Sequence, residues 1–98
     1  MPEVTIVYWR DIPAQVLVGR GRRAVKRVLA ERFEQAIDRA AMASGARDTD
    51  AYLAEWRRAA VEAAGDSDAA AADAMAASLE AEYDTARLKA LIANGGRD

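Results

Sequence analysis

Five cations within eight residues are the first candidates for chemistry in this sequence. The chain is predicted to enter a helix here, and a helix start is an unfavourable place for cations because its free N–H groups carry partial positive charge. A bound anion would relieve this conflict, so one hypothesis is an anion-binding module for a phosphate, a polyglutamylated folate or RNA. Alternatively, the cations extend into solvent or pair with Glu31 and Glu34. The candidate anion-binding residues are Arg20, Arg22, Arg23, Lys26 and Arg27.

The remaining residue types argue against catalysis. The chain has no histidine and no cysteine, which excludes a conventional zinc site and the Ser-His or Cys-His pairs of nucleophilic catalysis. The carboxylates of Glu80 and Asp84 share a predicted helix face, but they have neither calcium-loop spacing nor an apolar setting for acid–base work. Gly19 and Gly21 alone do not make a nucleotide-binding loop. We therefore predict no catalytic residue, no metal, no cofactor and no independent enzyme activity.

Charge is distributed unevenly along the chain. Residues 1–47 carry nine Arg or Lys and five acids, a net charge of +4, whereas residues 48–98 carry five against eleven, a net charge of −6. A general nucleic-acid binder would be basic throughout, so nucleic acid is a disfavoured partner. The basic end remains suited to an anion.

Length and hydropathy indicate one domain in an aqueous compartment. Ninety-eight residues make a single domain, and no apolar run approaches the roughly 18 residues of a membrane span. The N-terminus lacks the pattern of a signal peptide. We expect a cytoplasmic protein that does not cross a membrane.

A β-hairpin is predicted over residues 4–18, where most of the β-branched residues lie. The first strand runs from Val4 to Trp9, the turn contains Asp11-Ile12-Pro13, and the second strand contains Val16 to Val18. Both faces of the first strand are apolar, which is unusual for a hairpin with one solvated face. Either the chain's own helices cover both faces, or one face is offered to a partner.

Three helices are predicted after a basic junction at residues 19–23. Apolar residues at three- and four-residue spacing place them at about 22–44, 49–64 and 67–93, with a frayed tail at 94–98. The fold class is therefore α+β, with an N-terminal antiparallel hairpin packed with three helices in the order ββααα. Leu88, Leu91 and Ile92 lie off the apolar stripe of the third helix. They either close over the hairpin or dock on another molecule.

The chain resembles the bacterial family labelled "virulence factor" through the string TIVYWRDIPAQV at residues 5–16, the junction at 19–23 and YLAEWR at 52–57. The resemblance covers the first sixty residues well and the alanine-rich remainder poorly. It implies no established chemistry or catalytic residue. Stand-alone members are often encoded near folate- and corrinoid-dependent methyl-transfer proteins. This implies a methylenetetrahydrofolate reductase-like or corrinoid methyl-transfer enzyme as a partner class.

The leading hypothesis is a non-catalytic adaptor or small accessory subunit that binds another protein, or itself as a homodimer. A two-stranded sheet is marginal in water, and tryptophan and arginine are frequent interface hot spots. A third hypothesis is a subunit that completes a partner's active site by lending Arg10 or Asp11. The predicted partner-binding residues are Trp9, Arg10, Asp11, Ile12, Leu88, Leu91 and Ile92.

Overall fold

A computed structural model describes residues 3–19, 21–45, 48–62 and 67–98 of the chain, and it confirms the α+β class with an N-terminal hairpin. The elements in chain order are β1 (Glu3–Trp9), β2 (Ile12–Val18), a 3-10 turn (Gly21–Arg23), β3 (Val25–Val28), α1 (Glu31–Ala43), α2 (Thr49–Ala54), β4 (Trp56–Glu62), α3 (Asp68–Glu82) and α4 (Thr85–Ala93). None of the helices in these ranges combines the length and the apolarity needed to cross a membrane.

The strands form one antiparallel sheet in the order β3-β2-β1-β4, so the predicted hairpin lies at its centre. The turn is Arg10 and Asp11, with Trp9 paired to Ile12. Pro13 belongs to β2 rather than to the turn. The register shifts beside it, which leaves Ala14 as the extra residue of a bulge, a position where a strand tolerates proline.

The predicted helix over 22–44 is wrong in its first third, because α1 begins only at Glu31. Residues 25–28 form β3 instead and pair with β2 from Val18↔Val25 to Gln15↔Val28. A four-residue segment is too short for periodicity to separate strand from helix. The backbone hydrogen bonds of the neighbouring strand decide its conformation.

The predicted helix over 49–64 is also wrong beyond its first turns. α2 ends at Ala54, and β4 follows and pairs with β1 along its whole length, from Trp9↔Trp56 to Glu3↔Glu62. Alanine, arginine and glutamate dominate residues 57–62 and favour a helix, but only by less than about 1 kcal/mol per residue. Seven residue pairs with the central strand outweigh that preference.

The predicted continuous helix over 67–93 is broken at Tyr83 and Asp84. Ser67 caps α3 by accepting a hydrogen bond from the Ala70 N–H at 3.1 Å, and Asp84 caps α4 by accepting one from the Arg87 N–H at 2.8 Å. The capping side chain of Asp84 therefore starts a new helix where an unbroken apolar stripe had predicted continuity. α4 packs against α1, so it does not overhang the fold.

One face of the sheet carries the core residues Val4, Ile6, Val16 and Val18. α3 packs on β2 and β3 at this face, and Arg27 of β3 reaches Asp73 of α3 at 2.6 Å. The other helices gather at the end of the sheet where β1 turns into β2. The largest fully buried side chains are Trp9, Phe33, Ile12, Val4, Val16, Val18 and Pro13.

The C-terminal tail is packed, contrary to the predicted fraying. The Asp11 N–H donates to the Gly96 carbonyl at 2.8 Å, and the Asp98 N–H donates to the Asp11 carboxylate at 2.7 Å. Gly96, with φ of +90°, lies against the Trp9 ring. A Cβ at this position would come within 2.9 Å of the ring.

We predict that Gly96→Ala lowers the free energy of unfolding by about 2–5 kcal/mol, because left-handed strain and the clash with the Trp9 ring add together. Gly45→Ala is the matched control. Its φ is +79° and a Cβ there meets nothing within 4 Å, so we expect a loss of about 1–2 kcal/mol from strain alone. Urea denaturation measures both values. Equal losses would show that the tail does not pack on Trp9.

Candidate functional site

Trp9 lies at the turn end of the sheet, surrounded by the helices that pack there. Its indole N–H donates to the Tyr52 carbonyl at 3.0 Å, and its ring stacks on the Tyr52 ring with centroids 5.8 Å apart. Trp56 meets Tyr52 edge-on at 5.9 Å. Together with the close approach of Gly96 to the Trp9 ring, these contacts join β1, α2, β4 and the C-terminal tail around one buried side chain.

Arg10 ties the hairpin turn to the rest of the chain. Its φ is +54°, a conformation that L residues rarely adopt, and its side chain is 13 % exposed. The guanidinium donates to the Gly95 carbonyl at 2.7 Å, pairs with Glu55 at 3.4 Å and lies 4.9 Å from the Trp9 ring centre. Arg57 pairs with the neighbouring Asp11 at 3.1 Å. Arg10 and Asp11 are thus occupied by contacts within the chain.

The predicted partner contacts are mostly internal. Trp9 and Ile12 have no exposed surface, and Leu88 and Leu91 are 4 % and 2 % exposed. In this fold these four side chains form the core and cannot touch a partner. Ile92 is half-buried beside α1. The prediction assumed a bare hairpin and a continuous third helix, whereas the hairpin has strands of its own chain on both edges and the third helix is broken.

Side chains alternate between the two faces of β3, so the cations of the basic junction point to different surfaces. Lys26 points to the face opposite α3 and is exposed, whereas Arg27 points toward α3 and pairs with Asp73. Arg22 and Arg23 are exposed on the 3-10 turn, and Arg20 lies outside the described residues. The structure therefore does not bring all of the predicted anion-binding cations to one surface.

Another set of cations does meet in space, in a shallow groove of about 130 Å³ between α1 and α4. Arg32, Arg39 and Lys89 line it together with Ile92. Helix packing assembles these cations from distant parts of the sequence. The groove is therefore a cluster of positive charge to which an anion could bind.

The half of the sheet face that lies opposite α3 and away from the hairpin turn is the most accessible surface of the strands. Its members alternate with the core residues along each strand, and within the described ranges they are half-buried or exposed apart from Val7 at 8 %. Val28 is 69 % exposed, the highest value of any large apolar side chain described. We call this surface the open face, formed by Thr5, Val7, Leu17, Lys26, Val28, Arg58 and Ala60.

A cleft of about 320 Å³ adjoins the open face and shares Val28 with it. Its walls are aromatic and aliphatic, and two carboxylates one turn apart on α1, Glu34 and Asp38, lie along its rim. We call this the aromatic cleft, lined by Ala14, Gln15, Val28, Leu29, Glu34, Ile37, Asp38, Tyr52 and Trp56.

The carboxylates of the rim act electrostatically on Tyr52 in the cleft wall. Burial raises the pKa of the Tyr52 phenol, and the carboxylates of Asp38 and, more weakly, Glu34 raise that pKa further because they disfavour a second negative charge. The described residues contain no group of three His, Cys, Asp or Glu that could hold a metal.

Sequence reasoning assigned no ligand-binding role to the cleft residues. The predicted helix over 49–64 placed Tyr52 and Trp56 on one element, whereas they lie on α2 and β4 and both line the cleft. The i, i+4 spacing of Glu34 and Asp38 was a readable signal for two carboxylates on one helix face. Nothing in the sequence indicated that aromatic side chains would face them.

Comparison with known proteins gives one match. Residues 7–92 match the model of the family described as "Virulence factor". Searches of curated proteins and of solved structures found no match.

We predict that Arg10→Ala lowers the free energy of unfolding by about 1–3 kcal/mol, because it removes a charge-assisted hydrogen bond to a half-buried carbonyl. Amide exchange at Asp11, whose N–H bonds the Gly96 carbonyl, should become faster. Arg58→Ala, on the open face, is the control, and we expect it to change stability by less than about 0.5 kcal/mol. If the two variants are equally stable, Arg10 does not anchor the tail.

We predict that Asp38→Asn lowers the pKa of Tyr52, since it removes a negative charge that opposes the phenolate. The phenol carbon signals in an NMR titration report this pKa, and the pKa of Tyr83 is the internal reference. Asp50→Asn, a change outside the cleft lining, should leave the pKa of Tyr52 in place. An unaltered pKa in Asp38→Asn would mean that Asp38 does not act on the cleft wall.

Proposed function

This chain belongs to the virulence factor family, and we propose that it is a non-catalytic protein-interaction adaptor or small accessory subunit. The observation that carries the proposal is the open face with the aromatic cleft beside it. An accessible sheet face with an exposed apolar side chain, Val28, next to a concave aromatic site is typical of protein-binding surfaces. The proposal moves the partner-binding site away from Trp9 and Ile12, which are interior.

The sheet holds the open face in a fixed shape before any partner binds. The open face lies on a four-stranded sheet whose other face packs on α3, and Val7 at its centre is flanked by Gln15 and Arg58 on the neighbouring strands. A partner would therefore meet a surface held by backbone pairing on both sides. Such a surface loses little conformational entropy on binding.

The family resemblance supplies the partner class to test first. It is a methylenetetrahydrofolate reductase-like or corrinoid methyl-transfer enzyme encoded in the same genome. Purified candidates of this class, added to the immobilised chain, test the proposed link to one-carbon metabolism separately from the proposed adaptor role.

We predict that Val28→Glu reduces capture of the partner at least about tenfold, because it places a charge on the most exposed apolar side chain of the open face. The measurement is quantitative mass spectrometry of what co-purifies with the tagged full chain from its native cell. Circular dichroism and thermal melting should match the parent, since Val28 is 69 % exposed.

The matched control is Met42→Glu on α1. Met42 is 63 % exposed but lies outside both the open face and the cleft lining. It should retain capture. Equal capture by the parent, Val28→Glu and Met42→Glu would refute partner binding at the open face.

A further inference from the structure

The aromatic side chains of this protein follow one pattern with two exceptions. Four of the six have an arginine guanidinium over the ring, at 4.9 Å for Trp9 and Phe33, 4.3 Å for Tyr8 and 4.0 Å for Tyr83. In the described part of the chain, Tyr52 and Trp56 have no such cation. These two aromatic residues are the ones that line the aromatic cleft.

The carboxylates at the rim show the same lack of a cation. Asp73 and Glu80 on α3 pair with Arg27 and Arg32, but Glu34 and Asp38 form no ion pair with any described residue. A cation in the cleft would face both aromatic rings and two carboxylates. Each of these groups attracts a guanidinium or an ammonium.

We propose that the aromatic cleft receives a lysine or arginine side chain of the partner protein, with its aliphatic stem on the apolar floor and its charged head at the carboxylates. This inference rests on the proposed adaptor function, because the cleft opens beside the proposed docking surface and shares Val28 with it. The floor is formed by Leu29 and Ile37, which suit the methylene groups of a long basic side chain.

The charge of the cleft selects this occupant over other side chains. An acidic side chain would be repelled by Glu34 and Asp38, and an apolar side chain would make no favourable electrostatic contact with either carboxylate. A volume of about 320 Å³ is at the lower limit of small-molecule sites and suits a single side chain. The proposed role is therefore an anchor for one basic residue.

The test titrates the isotope-labelled full chain with N-acetyl-arginine methylamide and with the neutral isostere N-acetyl-citrulline methylamide. The indole N–H signal of Trp56, assigned with a Trp56→Phe variant, reports on the cleft. We expect it to shift saturably with the arginine probe and to show at least about fivefold weaker affinity for the citrulline probe. An equal response to the two probes, or none, would overturn the proposal.

The double variant Glu34→Gln/Asp38→Asn should lose the preference for the arginine probe. The double variant Glu31→Gln/Asp50→Asn removes the same charge outside the cleft lining and should keep it. A preference that persists without Glu34 and Asp38 would place the cation elsewhere. If the parent chain is a dimer and only Glu34→Gln/Asp38→Asn is a monomer, the occupant belongs to a second copy, which would overturn the assignment to a separate partner.

Capture of the partner by these variants tests the basic anchor and the adaptor role separately. Capture that is lost in Val28→Glu but retained in Glu34→Gln/Asp38→Asn supports the adaptor and overturns the basic anchor. Capture that is lost in both, with capture by Glu31→Gln/Asp50→Asn unchanged, supports the two together. Capture that none of these variants reduces overturns both.

Discussion

The burial of Trp9 is the constraint on which the rest of the structure depends. A ring of this size has to be surrounded. Tyr52 stacks on it and Gly96 approaches it closely from distant parts of the chain, and the guanidinium of the adjacent Arg10 lies over it. The indole N–H also needs an acceptor, which the Tyr52 carbonyl provides. These requirements fix where the C-terminal tail and α2 lie relative to the hairpin. The side chain that looks most like a binding residue in the sequence is thus a structural one.

The same packing explains how a chain with 25 alanines makes a defined core. Ala71 and Ala72 of α3 are fully buried, and they allow the helix to approach the sheet closely. The larger side chains of β1 and β2 then fill one face, while α1 and α4 close the turn end. The open face stays accessible because the helices within the described ranges pack on the opposite face of the sheet and at its turn end.

Arginine has a repeated structural role in this protein. Guanidinium groups lie over four aromatic rings, and all four of them, those of Arg10, Arg32, Arg57 and Arg87, also pair with a carboxylate. Such pairs are modest individually, about 0.5–1 kcal/mol for a cation over an exposed ring. Their distribution matters more than their strength. The four rings with a guanidinium lie outside the aromatic cleft, and the two rings that line the cleft have no guanidinium over them in the described part of the chain. The presence or absence of an arginine over the ring therefore distinguishes the aromatic residues of the cleft from the other four.

The sequence by itself determined the hairpin, the α+β class and the helical conformation of residues 31–43. These features are local: a continuous run of β-branched residues for the hairpin, and apolar residues at helical spacing for the helix. Only the tertiary structure decided that residues 25–28 and 56–62 are strands, because their pairing partners lie far away in sequence and local propensity is weaker than a ladder of backbone hydrogen bonds. It also decided that Trp9 is interior and that Tyr52 and Trp56 face Glu34 and Asp38. Both outcomes follow from contacts between segments more than ten residues apart, which no spacing along the chain encodes.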